Sequence, residues 1–231
     1  MDVVLYSTYL SVLMQVVSGI VQFDGLFIRL QQKDRILTDI LSLETIVQFI
    51  EGLFYVWLVM NFSKISLKNV ATKRYYDWVI TTPLMLLATI MYMKYLQLKE
   101  TGRLGQTQLR YLSFIKDNAV DVTKITISNA LMLLFGYLGE IKKMPMVSSV
   151  AVGSLFFLYT FYVIYDKYAV HTETGKGLFL FLFVIWGLYA VAALMSPRNK
   201  NIGFNLLDVI SKNFYGIYIY YVIKDIASKS I

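Results

Sequence analysis

Seven apolar runs, each near the length of a bilayer-spanning helix, follow one another along this chain with only short polar breaks between them. They lie near 4–23, 38–62, 75–97, 124–140, 147–168, 176–196 and 202–223. A helix needs about 20 apolar residues to cross the hydrocarbon core of a membrane. The fourth run starts amphipathically over Val122–Ser128, which suits an interfacial turn. Runs and loops together consume nearly all of the 231 residues, 57% of them hydrophobic and only 16% charged. That leaves no room for a separate soluble domain. The expected fold is an all-α membrane protein, a seven-transmembrane-helix bundle forming one domain over 1–231 and embedded in a lipid bilayer.

The first run begins at once (MDVVLYSTYL), with no basic leader and no small-residue cleavage site, so it reads as a retained helix. Placing the amino terminus outside puts Arg29, Lys33, Arg35, Lys94, Lys99, Arg103, Arg110, Lys116, Lys124, Lys167, Lys176, Lys224 and Lys229 on the inner side. The outer side then holds Lys64, Lys68, Lys73, Arg74, Lys142, Lys143, Arg198 and Lys200. The excess of basic residues inside supports that orientation. The net charge of +7 therefore belongs to loops lying against anionic lipid, and nucleic acid is not an expected partner. No cysteine is present, and the one histidine, His171, cannot build a metal site alone.

The last run, IGFNLLDVISKNFYGIYIYYVI, carries charge in its middle: Lys212 lies one helical turn after Asp208. A charge at bilayer depth costs roughly 2.5–3.5 kcal/mol on insertion scales, so it marks function by default. An amine beside a carboxylate is what a protonated imine requires, a nucleophile to form it and an anion to keep it charged. A plain Lys–Asp pair between packed helices uses the same two residues, and this segment alone leaves both readings open.

The third run reads R-Y-Y-D-W-V-I-T-T-P over 74–83. Arg74, Asp77 and Thr81 share one helical face, and Asn205, Asp208 and Lys212 repeat the same spacing in the last run. If these faces meet, Arg74 and Lys212 oppose Asp77 and Asp208 with a formal sum of zero, the condition for burying four ionisable groups. A polar staple between helices needs only one such pair.

R-Y-x-D-W-x-x-T-T-P in the third helix and D-x-x-x-K in the seventh resemble the microbial (type 1) rhodopsins, seven-helix retinal proteins, along essentially the whole chain. The resemblance implies all-trans-retinal carried on Lys212 as a Schiff base, with Asp77 as primary and Asp208 as secondary counter-ion. Arg74 would be the switchable guanidinium on the outward side, and Thr81 would pair with Asp77. Trp78 and Trp186 would sandwich the polyene, with Tyr189 beside it in W-x-x-Y. Thr82 would face Asn129, Met132 and Gly136 would surround the ring, and Tyr55 and Tyr189 would hydrogen-bond Asp208. Without the resemblance the two tryptophans read as packing aromatics, Thr82–Asn129 as an ordinary interhelical bond, and Met132 and Gly136 as core. Two positions depart from the family pattern. Ala190 follows Tyr189 where many relatives have proline, and Ala88 stands where proton pumps usually carry an acid. With Met85 before it, the inward half of the third helix offers no proton donor.

A polar stripe remains that a pump does not need. The first helix carries Ser7, Ser11, Gln15, Ser18 and Gln22 on one face, and the second carries Glu44, Gln48, Glu51 and Tyr55. Ser and Gln bridging helices, at about 0.6 kcal/mol per bond, account for Ser7, Ser18 and Gln22. They do not account for two glutamates about 10 Å apart along the axis at membrane depth. At least one of these is expected to be buried as the neutral acid in the dark. If the stripes turn toward Asn205 and Asp208, helices one, two and seven enclose a chain of polar groups of the form a hydrated cation path takes. Within the family, a second-helix Glu with a first-helix Ser and a seventh-helix Asn is similar to the central gate of channelrhodopsins. Asn205 and Asn213 both qualify, and Asn205 shares the Asp208–Lys212 face more closely. The short chain with Glu44 and Glu51 looks most like the group 1 viral rhodopsins of algal giant viruses, which are light-gated cation conductors.

The resulting expectation is a retinal photoreceptor that conducts monovalent cations or protons when lit. It performs no enzymatic turnover, spans a host cell membrane several times, and leaves assembly into a homo-oligomer open. The rival readings are an outward proton pump, a sensory rhodopsin, and a non-photoactive transporter that uses Lys212 only as a charge.

Overall fold

The computed structural model describes residues 3–106 and 109–229 of the chain. Helices α1 (Val3–Gly25), α2 (Ile36–Asn61) and α3 (Leu67–Glu100) form the first three rods. A short α4 (Tyr111–Asp117) leads into α5 (Ala119–Glu140), which is followed by α6 (Met146–Lys167) and α7 (Glu173–Ala193). The seventh rod is α8 (Pro197–Asp208), a π-helical turn (Val209–Asn213) and α9 (Phe214–Ser228). Consecutive rods pack side by side, and the seventh closes the ring against α1, α2 and α7.

The rods are polar inside and apolar outside. On α1, Thr8, Ser11, Gln15, Ser18 and Gln22 are at most 4% exposed, while Leu10, Leu13, Val17 and Ile20 are 46–66% exposed. On α2, Glu44, Gln48 and Glu51 are buried while Ile46, Phe49, Leu53 and Met60 are exposed. Such a distribution is stable only where the surrounding solvent is itself apolar. The chain is an integral, multi-pass membrane protein.

Six rods have the length and apolarity of a spanning helix. The seventh differs from that pattern for a physical reason: the π turn divides it into helices of 12 and 15 residues, and its middle is ionic. Three rods start five or more residues earlier than the hydropathy suggested, the seventh at Pro197 among them. α3 begins at Leu67, because Val70 and Ala71 are buried although Lys68, Lys73 and Arg74 surround them in sequence. Its 34 residues reach about 51 Å, well beyond a hydrocarbon core of about 30 Å. α5 likewise starts at Ala119 and takes in the amphipathic segment whole.

α3 runs through Pro83 without ending. The two preceding threonines donate to carbonyls one turn back, Thr81 Oγ1 to Asp77 at 3.0 Å and Thr82 Oγ1 to Trp78 at 2.8 Å. The segment before α4 is tied to α2 by Asp39, which accepts from Arg110 Nε (2.8 Å), Arg110 Nη2 (3.1 Å) and the Tyr111 N–H (3.1 Å). The end of the bundle opposite the amino terminus is apolar, with Ile36, Leu37, Ile40, Met91, Ile219 and Ile223 fully buried there. Two tyrosine bonds cross this end: Tyr95 donates to Asp34 at 2.7 Å, and the Tyr92 and Tyr218 hydroxyls lie 2.9 Å apart.

α5 and α6 approach closely at Gly139, where a Cβ would meet the Ser149 side chain at 2.5 and 2.8 Å. Gly139→Ala is expected to cost about 1–3 kcal/mol by overpacking. For a chain of this size that lowers the melting midpoint by roughly 2–12 °C. Gly177→Ala, where a Cβ meets nothing within 4 Å, should leave the melt unchanged or slightly raised, as read by circular dichroism.

Candidate functional site

The ionic core forms where α2, α3 and the π turn of the seventh rod meet. Asp208 ends α8, and Lys212 and Asn213 follow in the wide turn, all three at most 3% exposed. π turns occur mostly as single insertions and often at functional positions. Here the turn sends two consecutive polar side chains, Lys212 and Asn213, into the interior.

Lys212 Nζ sits among three carboxylates, not two. Glu51 Oε1 is at 3.0 Å, Asp77 Oδ2 at 3.2 Å and Asp208 Oδ1 at 3.4 Å. Sequence spacing had balanced two cations against two aspartates and left Glu51 outside the core. The structure adds Glu51, so Arg74 and Lys212 face three acids. Burying that set without net charge requires one proton shared among the carboxyls. Two of their oxygens, Glu51 Oε2 and Asp77 Oδ1, lack a hydrogen-bond partner among the described residues. The spacing had put Glu51 and Tyr55 on one face; what it did not give was the rotation of that face toward Lys212.

Asp208 is the most firmly held of the three. Oδ2 accepts from Tyr55 (2.7 Å) and Arg74 Nη1 (2.9 Å), and Oδ1 accepts from Tyr189 (2.7 Å). Arg74 is fully buried, with its guanidinium 5.4–5.6 Å from the Phe54, Tyr55 and Phe204 ring centres. Its Nη1 also donates to Tyr55 at 3.0 Å and its Nη2 to Asn205 Oδ1. Thr81 does not reach the Asp77 carboxylate; its hydroxyl is spent on the Asp77 backbone carbonyl.

The polar stripes of α1 and α2 meet the seventh rod in two separate groups. In the group nearer the amino terminus, Asn205 Nδ2 donates to Ser7 (2.8 Å) and Thr8 (3.1 Å), and Ser11 donates to the Asn205 carbonyl (3.3 Å). In the deeper group, Asn213 Nδ2 donates to Ser18 (2.6 Å), Gln48 Oε1 (3.1 Å) and Gln15 Oε1 (3.2 Å). Gln22 and Gln48 extend that group, Nε2 to Oε1 at 3.3 Å. Asn205 thus bonds Arg74 and the α1 hydroxyls nearer the amino terminus rather than Glu51, while Asn213 holds the glutamines. Glu51 lies on Lys212 beside both groups. Glu44 is buried one to two turns deeper, and its Oε1 has no hydrogen-bond partner among the described residues.

On the other side of Lys212 a cavity opens between α3, α5, α6 and α7. Trp78, Thr82, Met132, Gly136, Trp186 and Tyr189 all line it. Asn129 Nδ2 donates to Thr82 Oγ1 at 2.8 Å, just behind that wall. Trp78 is held edge-on by Tyr189 and Phe204, at 5.5 and 5.1 Å between ring centres. Gly136 serves the wall indirectly, since a Cβ there would strike the Tyr75 hydroxyl at 2.5 Å. The sequence reading missed Phe157, Ser154 and Gly187, which complete the lining from α6 and α7. At Gly187 a Cβ would meet nothing within 4 Å, so the wall there is open space. The cavity's lining is mostly apolar with a few polar groups, as ligand sites are, and an amine stands at its end.

Compared with known proteins, the family described as bacteriorhodopsin-like protein matches residues 6–226. Among solved structures the chain is similar to viral rhodopsin OLPVRII, with a TM-score of 0.84 and 28% identity over 97% of this chain and 99% of that one. Its fold is also similar to a blue light-absorbing proteorhodopsin from Med12, with a TM-score of 0.74 and 20% identity over the full length of both. A proton pumping rhodopsin, AR2 from the marine alga Acetabularia acetabulum, gives a TM-score of 0.72 and 18% identity over 100% and 96% of the two chains. The comparison with curated proteins gives no match.

Removing one partner of a buried ion pair leaves an uncompensated charge and costs about 3–5 kcal/mol. Arg74→Met is therefore expected to lose most folded protein or lower its melting midpoint sharply. Pairing it with Asp208→Asn should recover a large part of the loss in the same melting assay.

Proposed function

Since the chain belongs to the bacteriorhodopsin-like family, whose chromophore is retinal, we propose that it is a photoreceptor that opens a path for monovalent cations when lit. The residues fit the cofactor. The cavity is apolar along its walls and ends at the Lys212 amine, and carboxylates flank that amine on the far side. A polyene aldehyde needs this set of partners. Trp78, Trp186, Met132 and Tyr189 would hold the chain and ring, and Lys212 would carry the Schiff base.

Retinal bound at Lys212 supplies absorption of visible light and a light-driven change of shape. The protein supplies position, charge and the path. Glu51 Oε1 and Asp77 Oδ2 stand within 3.2 Å of Nζ and can receive a proton from it. A proton arriving on Glu51 removes the ionic contact that joins α2 to the seventh rod. The Asn205 and Asn213 groups lie on either side of that contact, and water entering between them would join the two. The bonds Tyr95–Asp34 and Tyr92–Tyr218 and the apolar residues around them must part as well. With the amino terminus outside, as the basic residues suggest, cations then move along an acid-lined route that favours positive ions.

The observation that carries this reading is the buried polar series on α1, α2 and the seventh rod, set beside the buried stretch 85–91 of α3, which carries no acid. An outward proton pump is the second reading. Glu44, buried with an unpartnered oxygen on the deep side of Lys212, is where a pump could keep a proton donor on α2 instead of α3.

Retinal added to purified protein should give a visible band that Lys212→Ala abolishes, and a colourless wild-type sample would end the proposal. Under patch clamp, a light-driven current whose reversal potential follows the cation gradient supports the channel. A current of one sign at every voltage supports the pump. Glu51→Gln is expected to remove one step from the pH titration of the visible band and to change the size or ion preference of the photocurrent. An unaltered titration and current would separate Glu51 from both roles.

A further inference from the structure

We infer that the amino-terminal face of the bundle carries a binding site for the headgroup of an acidic phospholipid. An open concavity lies there, between the start of α3, the turn joining α5 to α6, and the start of α8. Lys68, Lys142, Lys143 and Lys200 line it, and Glu140 is its one carboxylate. Lys200 already holds Glu140 at 2.7 Å, with both side chains less than 10% exposed. The other three lysines therefore face the cavity with no lining acid left to neutralise them. Half of the eight basic residues that the sequence assigns to this face converge on this one concavity.

The backbone adds charge of the same sign. α3, α6 and α8 all begin at the cavity, at Leu67, Met146 and Pro197, and none of the three starts has a side-chain cap. The positive ends of three helix dipoles thus lie around one place. The remaining wall is apolar, made by Leu67, Ala71, Met144 and Met146. An inorganic anion has no use for that wall, whereas a phospholipid sets its glycerol and acyl carbons against it. The depth agrees. α5 and α6 have 22 residues each and span about 33 Å, so their joined ends stand at headgroup level. Lysines near a membrane surface each contribute attraction to anionic lipid, about fivefold in affinity per residue.

The test uses the purified full chain in neutral detergent, read by native mass spectrometry and by thermal melting. The probes are dioctanoyl phosphatidylglycerol, dioctanoyl phosphatidylcholine and inorganic phosphate. The acidic lipid should remain bound and raise the melting midpoint, while phosphatidylcholine and phosphate should do neither. Lys142→Gln with Lys143→Gln should weaken the acidic lipid about 25-fold at an unchanged helical spectrum. Lys224→Gln with Lys229→Gln, on the opposite face, should leave it as it was. Equal binding of phosphatidylcholine, equal stabilisation by phosphate, or equal loss in the two lysine pairs would each overturn the site.

Discussion

Two buried cations against three buried carboxylates set the terms for everything else in this bundle. Unpaired charge at this depth is costly, so Arg74, Lys212, Asp77, Asp208 and Glu51 can be inside only together. The arrangement divides the work unequally. Asp208 is held at both oxygens by Arg74, Tyr55 and Tyr189. Asp77 and Glu51 each keep one oxygen without a hydrogen-bond partner among the described residues, so they are less firmly held. In the proposed mechanism a light-driven change at Lys212 acts first on the pair that is least tied down, and one member of that pair, Glu51, sits on α2 beside the buried polar series.

The inverted polarity of the rods follows from the same chemistry. In lipid, apolar residues gain nothing from facing inward, and the interior can be given over to hydrogen-bonded amides and hydroxyls. α1 is the clearest case, with its serines and glutamines inside and its leucines and valines outside. The apolar interior that does exist is concentrated at the end remote from the amino terminus, where it seals the bundle.

Much of this was legible in the chain. Seven runs of spanning length predict seven rods, and the charged residues within the last run identify the ionic centre without coordinates. Helical spacing also put Ser11, Gln15, Glu51 and Tyr55 on inward faces. What spacing cannot give is the rotation of one rod against the next. That is why Glu51 was separated from Lys212, and why Asn205 was preferred to Asn213 as the partner of the α2 residues. Hydropathy likewise missed the start of α3, because a helix stabilised by two buried residues per turn can carry lysines elsewhere. Cavity walls from α6 and α7, such as Phe157 and Gly187, left no mark in the sequence because apolar linings and lipid-facing surfaces have the same composition.

The π turn at Val209–Asn213 has a consequence for how the last rod could change over evolutionary time. One residue more than a regular helix needs is absorbed there, so α9 is rotated by about 100° relative to a straight continuation of α8. Tyr215, Gly216 and Ile219 owe their inward facing to that offset, and so does the pairing of Asn213 with the glutamines of α1 and α2. Shortening the rod by a single residue just after Lys212 would turn its carboxy-terminal half by about 100° while leaving the amine and its aspartate in place. The two halves of the rod are thus geared together by one amino acid, and the chain can re-index the deep half without disturbing the ionic one.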